Sequence, residues 1–255
     1  MEISDFNNRD VLRKYISIPK LIFLLQNKKL FFCRADYFKC YKPSLFSRDG
    51  DMFSFFYGEK KVLKENFKNN LFSYLINTNE LAKYMFINSW NCQKTESFAM
   101  WRLFLRKYNE CVAMQTTIEK LNNSFQSEIN LTLKKVEYEN IEIWGSMYKL
   151  KSDILSPFYV KDVFYEFETE ARIVLSTYEQ TFPNSHVEPV MNDNNELCGV
   201  YIPTDFSVII DKIIVFPNAE DFIFNSIKNF VNLNLPSCPV LKSELDVKDG
   251  GINEG

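Results

Sequence analysis

Apolar and polar positions alternate along this chain in short blocks, and the period of each block predicts an element. Ser17 followed by Pro19 reads as a helix start, a capping hydroxyl with proline in the first turn. Leu21, Ile22, Leu24 and Leu25 give that helix its apolar stripe, and Asn27 suits its stop. Leu30-Phe31-Phe32-Cys33 is a short buried strand that delivers Arg34. Residues 35–58, with Pro43 and Gly58, are irregular, and 59–78 form an amphipathic helix. Residues 84–90 read as a strand. Thr95 or Glu96 then opens a helix through Met100, Trp101, Phe104 and Leu105. A strand over 112–116 leads to Thr117, which caps a helix running to about Asn123, and 131–138 alternate as a strand. Residues 140–157 have room for a helix, and 163–175 form a strand. Residues 178–197, polar and broken by Pro183 and Pro189, form a loop. Strands over 200–202 and 209–215 follow. Pro217 then precedes an amphipathic helix carrying Phe222, Ile223, Ile227 and Phe230, and 240–245 add an edge strand. Residues 246–255 are polar and glycine-containing, a flexible tail by composition. No repeat or Gly/Ser linker divides the chain, so residues 1–245 are expected to form a single α+β domain: a mixed or mainly antiparallel sheet with flanking helices.

The strand expected over 163–175 is the most informative block. Side chains of a strand alternate between faces. Phe167, Thr169, Ala171 and Ile173 fall on one side, and Glu166, Glu168, Glu170 and Arg172 on the other. Like charges in a row along one strand face are unfavourable unless water or a partner meets them. The row is therefore either a solvated face or a site in which Arg172 holds one carboxylate ionised by a bidentate pair and leaves the second free to act.

Composition narrows the function. The 255 residues include 24 Phe and 13 Tyr, enough for a large core, and only 7 Gly, which argues against glycine-rich cofactor loops. The net charge of −3 excludes a generally basic nucleic-acid binder. Lys60, Lys61, Lys64 and Lys68, or Arg102, Arg106 and Lys107, could still form a local basic rim, although such runs are usually solvated helix faces. Six cysteines without a Cys-x-x-Cys pair and a single histidine, His186, point away from a zinc site. The N-terminus lacks a signal-peptide pattern and no apolar run is long enough to span a bilayer, so a cytoplasmic protein with reduced thiols and no membrane partner is expected.

Four segments combine chemically capable side chains with strand ends or helix starts. They are Arg13-Lys14-Tyr15, Arg34-Ala35-Asp36, Asn88-Ser89-Trp90 with Glu96-Ser97, and Glu168-x-Glu170-x-Arg172. Each but the last has an ordinary structural explanation: Tyr15, Trp90 and Trp101 suit a core, Arg34 and Asp36 a surface pair, and Ser89 a turn. No hydrolase elbow, Walker loop, dinucleotide fingerprint or kinase signature is present. Any catalysis relies on Glu, Tyr, Arg, Lys or Ser.

Several of these segments together resemble the bacterial family catalogued as domain of unknown function 2971. They are Lys14-Tyr15, residues 30–38, Ser89-Trp90 with Glu96-Ser97 and Ala99-Met100-Trp101, residues 164–173 and residues 213–219. The chain departs from that pattern after Arg34, where Cys40-Tyr41 and Pro43-Ser44 stand in place of an Asp-Pro and an acidic-Gly pair. The layout is also similar to that of ADP-ribosyltransferases of bacterial toxins and anti-phage systems. That resemblance implies an ADP-ribosyltransferase-like fold that takes NAD as substrate and needs no metal. Glu170 would be the catalytic carboxylate, Glu168 its helper and Arg172 an orienter, with Arg13, Tyr15, Arg34, Ser89 and Trp90 lining the NAD pocket. It further implies a macromolecular acceptor, RNA or DNA favoured over protein, and an antitoxin or chaperone that restrains the toxin. Two other readings stay open on the residues: a non-catalytic nucleotide- or partner-binding module, and a metal-independent ribonuclease using Glu170, Arg172, Tyr15 and Lys161.

Overall fold

A computed structural model describes residues 1–37, 80–108, 110–125, 129–139, 155–177 and 187–247. The helix expected over 59–78, most of the one expected within 140–157, His186 and the last eight residues lie outside them.

The strands are β1 (Glu2–Ile3), β2 (Val11–Ser17), β3 (Lys29–Arg34), β4 (Met85–Asn91), β5 (Cys111–Thr117), β6 (Leu131–Lys135), β7 (Glu137–Glu139), β8 (Val160–Asp162), β9 (Glu170–Ser176), β10 (Glu188–Met191), β11 (Leu197–Pro203), β12 (Lys212–Val215) and β13 (Val240–Lys242). The α-helices are α1 (Ile18–Asn27), α2 (Phe98–Tyr108), α3 (Ile118–Asn123), α4 (Phe206–Ile209) and α5 (Asp221–Asn234). Among the described residues, β7 and β8 pair alone and the other strands form one eleven-stranded sheet. Only β1–β6 and β12–β13 run parallel in that sheet, so it is mixed and mainly antiparallel, and the architecture is α+β as expected. None of the described helices is long and apolar enough to cross a membrane.

Local chemistry sets the element ends. The Ser17 hydroxyl accepts from Lys20 N at 3.4 Å and Thr117 from Lys120 N at 3.3 Å, so α1 and α3 start where the sequence places them. α1 closes on Lys28 in the left-handed conformation (φ 53°), whose N–H donates to Leu24 O at 2.8 Å. Several expected boundaries move. The helix expected from Thr95 or Glu96 begins at Phe98, because Ser97 accepts from Met100 N and is the cap. The alternating run 131–138 breaks at Val136, whose N–H turns to Glu170 O and divides β6 from β7. The strand expected over 209–215 begins only at Lys212, because Asp205 caps the short helix α4 ahead of it. The expected loop 178–197 carries β10, held by pairing with β11. A 3-10 turn over Glu244–Val247 takes in Asp246 and Val247, the first two residues of the segment read as a tail.

The main core lies on one face of the sheet. There α1, α3, α4 and α5 cover Leu12, Ile16, Phe32, Phe86, Trp90, Met114, Leu133, Ile173 and Ile213. The other face carries two smaller clusters. One gathers Tyr15, Ala113 and Ile214 under Met100 and Trp101 of α2. The other gathers Met85, Ile87 and Val174 under Phe158 and Tyr159. Between these clusters runs a polar strip.

The sheet forks beside that strip. β4 pairs along one edge with β9 over its whole length. Its other edge is shared: Asn91 meets Arg13 of β2, while Phe86 and Ile87 meet Arg34 and Cys33 of β3. The branch continues from β3 to β11, where Gly199 faces Cys33. A Cβ at Gly199 would lie 2.4 Å from the Phe31 ring and 2.7 Å from Phe32 O. The ring can swing away but the backbone oxygen cannot. Gly199→Ala is expected to cost about 1–3 kcal/mol in chemical denaturation, and an unchanged midpoint would show that the branch is not tightly packed there.

Candidate functional site

The segment 163–170 does not continue as one strand. Asp162 accepts from Phe164 N at 3.0 Å and caps a 3-10 helix over Val163–Glu168. Thr169 then sits at φ 39°, and β9 begins at Glu170. A left-handed β-branched residue is strained. Its neighbours hold it there: Thr169 N donates to Glu166 O at 3.0 Å, Cys92 N to Thr169 O at 2.8 Å, and Gln93 Nε2 to Thr169 Oγ1 at 3.1 Å. Strand alternation therefore holds for Glu170 and Arg172 but not for Glu166 or Glu168.

Glu170 is 5% exposed and Arg172 fully buried. Arg172 grips the carboxylate with two nitrogens, Nε to Oε1 at 2.7 Å and Nη2 to Oε2 at 3.1 Å, while Nη1 donates to Phe158 O at 2.7 Å. The Ser89 hydroxyl donates to the same Oε1 in a short bond. Lys161, buried in β8, donates to Glu170 Oε2 at 3.3 Å and to Glu168 Oε2 at 2.6 Å, and lies 4.7 Å from the Tyr165 ring centre. Glu170 N donates to the Tyr138 hydroxyl at 2.7 Å. Burial works to raise the Glu170 pKa, but Arg172, Lys161 and Ser89 outweigh it and hold the carboxyl down at about 2. Glu168 keeps about 17% of its side chain exposed, and among the described residues its Oε1 accepts no hydrogen bond. Glu170 is thus a fixed carboxylate, ionised at neutral pH, and Glu168 the one with acceptor capacity left. The strip pairs two carboxylates with two cations.

The remaining sequence candidates are placed as follows. Arg13 shares this face but is buried and donates to the carbonyls of Gln93 (2.7 Å), Lys94 (3.3 Å) and Thr95 (3.1 Å), bracing the turn before α2. Tyr15 also shares the face and belongs to the α2 cluster: its hydroxyl accepts from Ser97 N at 3.3 Å and its ring stands edge-on to Trp101 at 4.9 Å. Arg34 is closed on Asp36 by bonds of 2.7 and 2.9 Å and stacks on Tyr37 at 4.8 Å. By register it sits opposite Phe86, whereas Glu170 sits opposite Asn91; at about 3.4 Å per residue the two lie roughly 17 Å apart along β4. Trp90 points the other way. It pairs with Ala171 and lies in the main core, 2% exposed, because residues adjacent to Ser89 on a strand face the opposite side. Ser89 alone of the pocket candidates touches Glu170. The ribonuclease set is likewise split, with Lys161, Glu170 and Arg172 together and Tyr15 turned to α2.

The Glu-Ser-x-x-Met-Trp motif has a structural role. Glu96 accepts from Trp101 Nε1 at 2.8 Å, Ser243 Oγ at 2.6 Å and Glu244 N at 2.9 Å, tying α2 to the segment after β13. Ser97 caps α2, and Met100 and Trp101 fill the cluster under it.

Sequence reasoning kept Lys161 only for a nuclease, and it named Lys14 and Asn88 within candidate segments without giving either a role. Lys14 Nζ donates to Ser89 O at 2.7 Å and to Asn88 Oδ1 at 3.1 Å, and lies 5.2 Å from the Trp90 ring centre. Burial pushes its ammonium down to about 7, with Lys20 adding repulsion and Glu170 opposing. The physical signal was a lysine alternating with Leu12 and Ile16, at a position where a strand should be apolar. A groove of about 570 Å³ is lined by Ala99, Arg102, Leu103, Leu105 and Arg106 of α2 and by Phe167, the residue before Glu168 in the chain. Arg102 and Arg106, which the sequence reads first as part of a solvated helix face, are exposed and border this mainly apolar groove.

No family model and no curated protein matches the chain. Among solved structures it is similar to DarT of Thermus sp. 2.9 in complex with carba-NAD+, at 8% sequence identity and a TM-score of 0.37, over 94% of this chain and 98% of that one. A likeness this distant assigns no activity to the chain.

Proposed function

We propose that the protein is an NAD-dependent ADP-ribosyltransferase, a toxin or anti-phage effector that transfers ADP-ribose to a macromolecule. One observation carries the reading. At the mouth of a forked sheet, a serine from one strand orients a buried, ionised glutamate on the next, and a fully buried arginine locks that glutamate in place. Departure of nicotinamide leaves positive charge on the ribose C1′ and its ring oxygen. A carboxylate that stays charged at neutral pH and is already fixed in position stabilises that state without reorganisation. Glu170 fills this role. Glu168, with one free oxygen, takes the proton of the attacking acceptor group. Ser89 sets the carboxylate rotamer and holds it while substrate reacts. Arg102 and Arg106 on the neighbouring groove suit an anionic acceptor, which favours RNA or DNA over protein.

One observation favours a second reading. Each Glu170 oxygen already accepts two hydrogen bonds, as in a purely structural ion network. Such a protein would be a non-catalytic binding module.

Incubation with NAD labelled on its adenine ring, followed by separation of RNA, DNA and protein, distinguishes the two readings. Label is expected in one acceptor class. Ser89→Ala is expected to lower kcat on the order of tenfold to a hundredfold with KM for NAD nearly unchanged, because the serine acts on the carboxylate and not on substrate binding. Absence of label in every class with well-folded protein supports the binding module and refutes the transferase.

A further inference from the structure

The fork leaves one rung of the ladder unfilled. Asn91 takes its partner from β2 and Ile87 from β3, so the backbone of Ser89 lies in the gap between them. Glu170 turns its N–H to Tyr138 and its carbonyl to Val136, away from β4. In an antiparallel ladder this makes Asn91–Glu170 a non-hydrogen-bonded pair, and Ser89–Arg172, two residues along, another. The Ser89 carbonyl therefore points into the gap, where an unpaired acceptor is costly. Continued in register from Cys33–Ile87, its partner would have been Phe31.

Two side chains fill the rung. Asn88 Nδ2 donates to Phe31 O at 2.7 Å. Lys14 Nζ bridges Asn88 Oδ1 at 3.1 Å and Ser89 O at 2.7 Å. The chain Phe31 O, Asn88, Lys14, Ser89 O spans all three strands at the split. Both side chains lie on the main-core face, since Lys14 alternates with Leu12 and Ile16, and Asn88 with Phe86 and Trp90. The Ser89 hydroxyl projects from the opposite face onto Glu170.

We propose that Lys14 and Asn88 are positioning residues that bolt the forked sheet and set, through the Ser89 backbone, the place of the Ser89 hydroxyl on Glu170. The bolt acts across the sheet and touches no substrate. Its kinetic consequence rests on the transferase reading; its structural consequence does not.

The test is a double-mutant cycle of Lys14→Met with Ser89→Ala, read first on the Glu170 carboxyl by carbon-13 NMR titration. Lys14→Met is expected to raise the Glu170 pKa clearly more in the Ser89 background than in the Ser89→Ala background, where only the loss of the lysine charge remains, because the rest of the effect travels through the hydroxyl. An equal rise in both backgrounds means that the lysine acts only as a distant charge, and overturns the proposal. Asn88→Leu, which removes the bridge but no charge, is expected to shift Glu170 in the same direction; no shift there also overturns it. Asn88→Leu serves alone if Lys14→Met does not fold. With labelled NAD, both variants are expected to lose about tenfold in kcat with KM within twofold. If the wild type transfers no label, the transferase reading fails while the titration still decides the bolt.

Discussion

Glu170→Gln is expected to reduce label transfer from NAD on the order of a thousandfold, the largest functional effect of any single change in this protein. Glutamine keeps the size of the side chain and removes the charge. The native carboxyl titrates at about 2, so it is ionised throughout the neutral range and its charge is what faces the ribosyl cation. The amide also turns an N–H donor toward groups that are donors themselves: Arg172 Nη2 and Lys161 Nζ on one side, Ser89 Oγ and Arg172 Nε on the other. Some stability is therefore lost with activity, and the sign of its pH dependence is fixed. A carboxyl whose pKa is lowered by folding stabilises the folded state fully above the unfolded value near 4.5, and loses that contribution as pH falls through about 2. The stability gap between wild type and Glu170→Gln should shrink across that window. Binding of a non-hydrolysable NAD analogue, followed by calorimetry, should survive within a few fold. Full label transfer by folded Glu170→Gln would remove Glu170 from the catalytic role.

Arg172→Met is expected to be the most destabilising change at the site, by about 3–5 kcal/mol, or roughly 10 °C in Tm for a chain of this size. The guanidinium is fully buried and meets both Glu170 oxygens and Phe158 O. Methionine fills the volume but leaves a buried carboxylate with Lys161 as its nearest cation, and burial then drives the Glu170 pKa upward. Arg172→Lys should fall between, because a point charge cannot grip two oxygens and a carbonyl at once. The double variant Arg172→Met/Glu170→Met should regain much of the lost stability, since the uncompensated charge is gone, while label transfer stays absent. A single Arg172→Met variant melting within about 2 °C of wild type would show that this network does not hold the fold.

The site was partly legible in the chain. Two-residue alternation placed Glu170 and Arg172 on one face, and the structure keeps them there. The hydroxyls of Ser17 and Thr117 announced their helices because a cap is a contact over three residues. The same alternation misplaced Glu168: the left-handed turn at Thr169 is held by Cys92 and Gln93, more than seventy residues earlier. Trp90 entered the pocket set only through the resemblance, although aromatic side chains suit cores at least as well as platforms; packing sends both Trp90 and Trp101 into cores.

Sequence alone determined the local part of this protein: which segments pair or coil, and which side chains share a strand face, because those depend on neighbours two to four residues away. Tertiary structure decided which face carries the buried polar strip, that Arg34 pairs with Asp36, that Lys161 joins two carboxylates, and that Lys14 and Asn88 fill a gap between three strands. The last of these contacts join residues 57 to 75 positions apart, and those of Arg34 and Lys161, although near in sequence, form only once the fold has set the backbone around them. Their energy depends on a local dielectric and a sheet geometry that exist only after the strands have met.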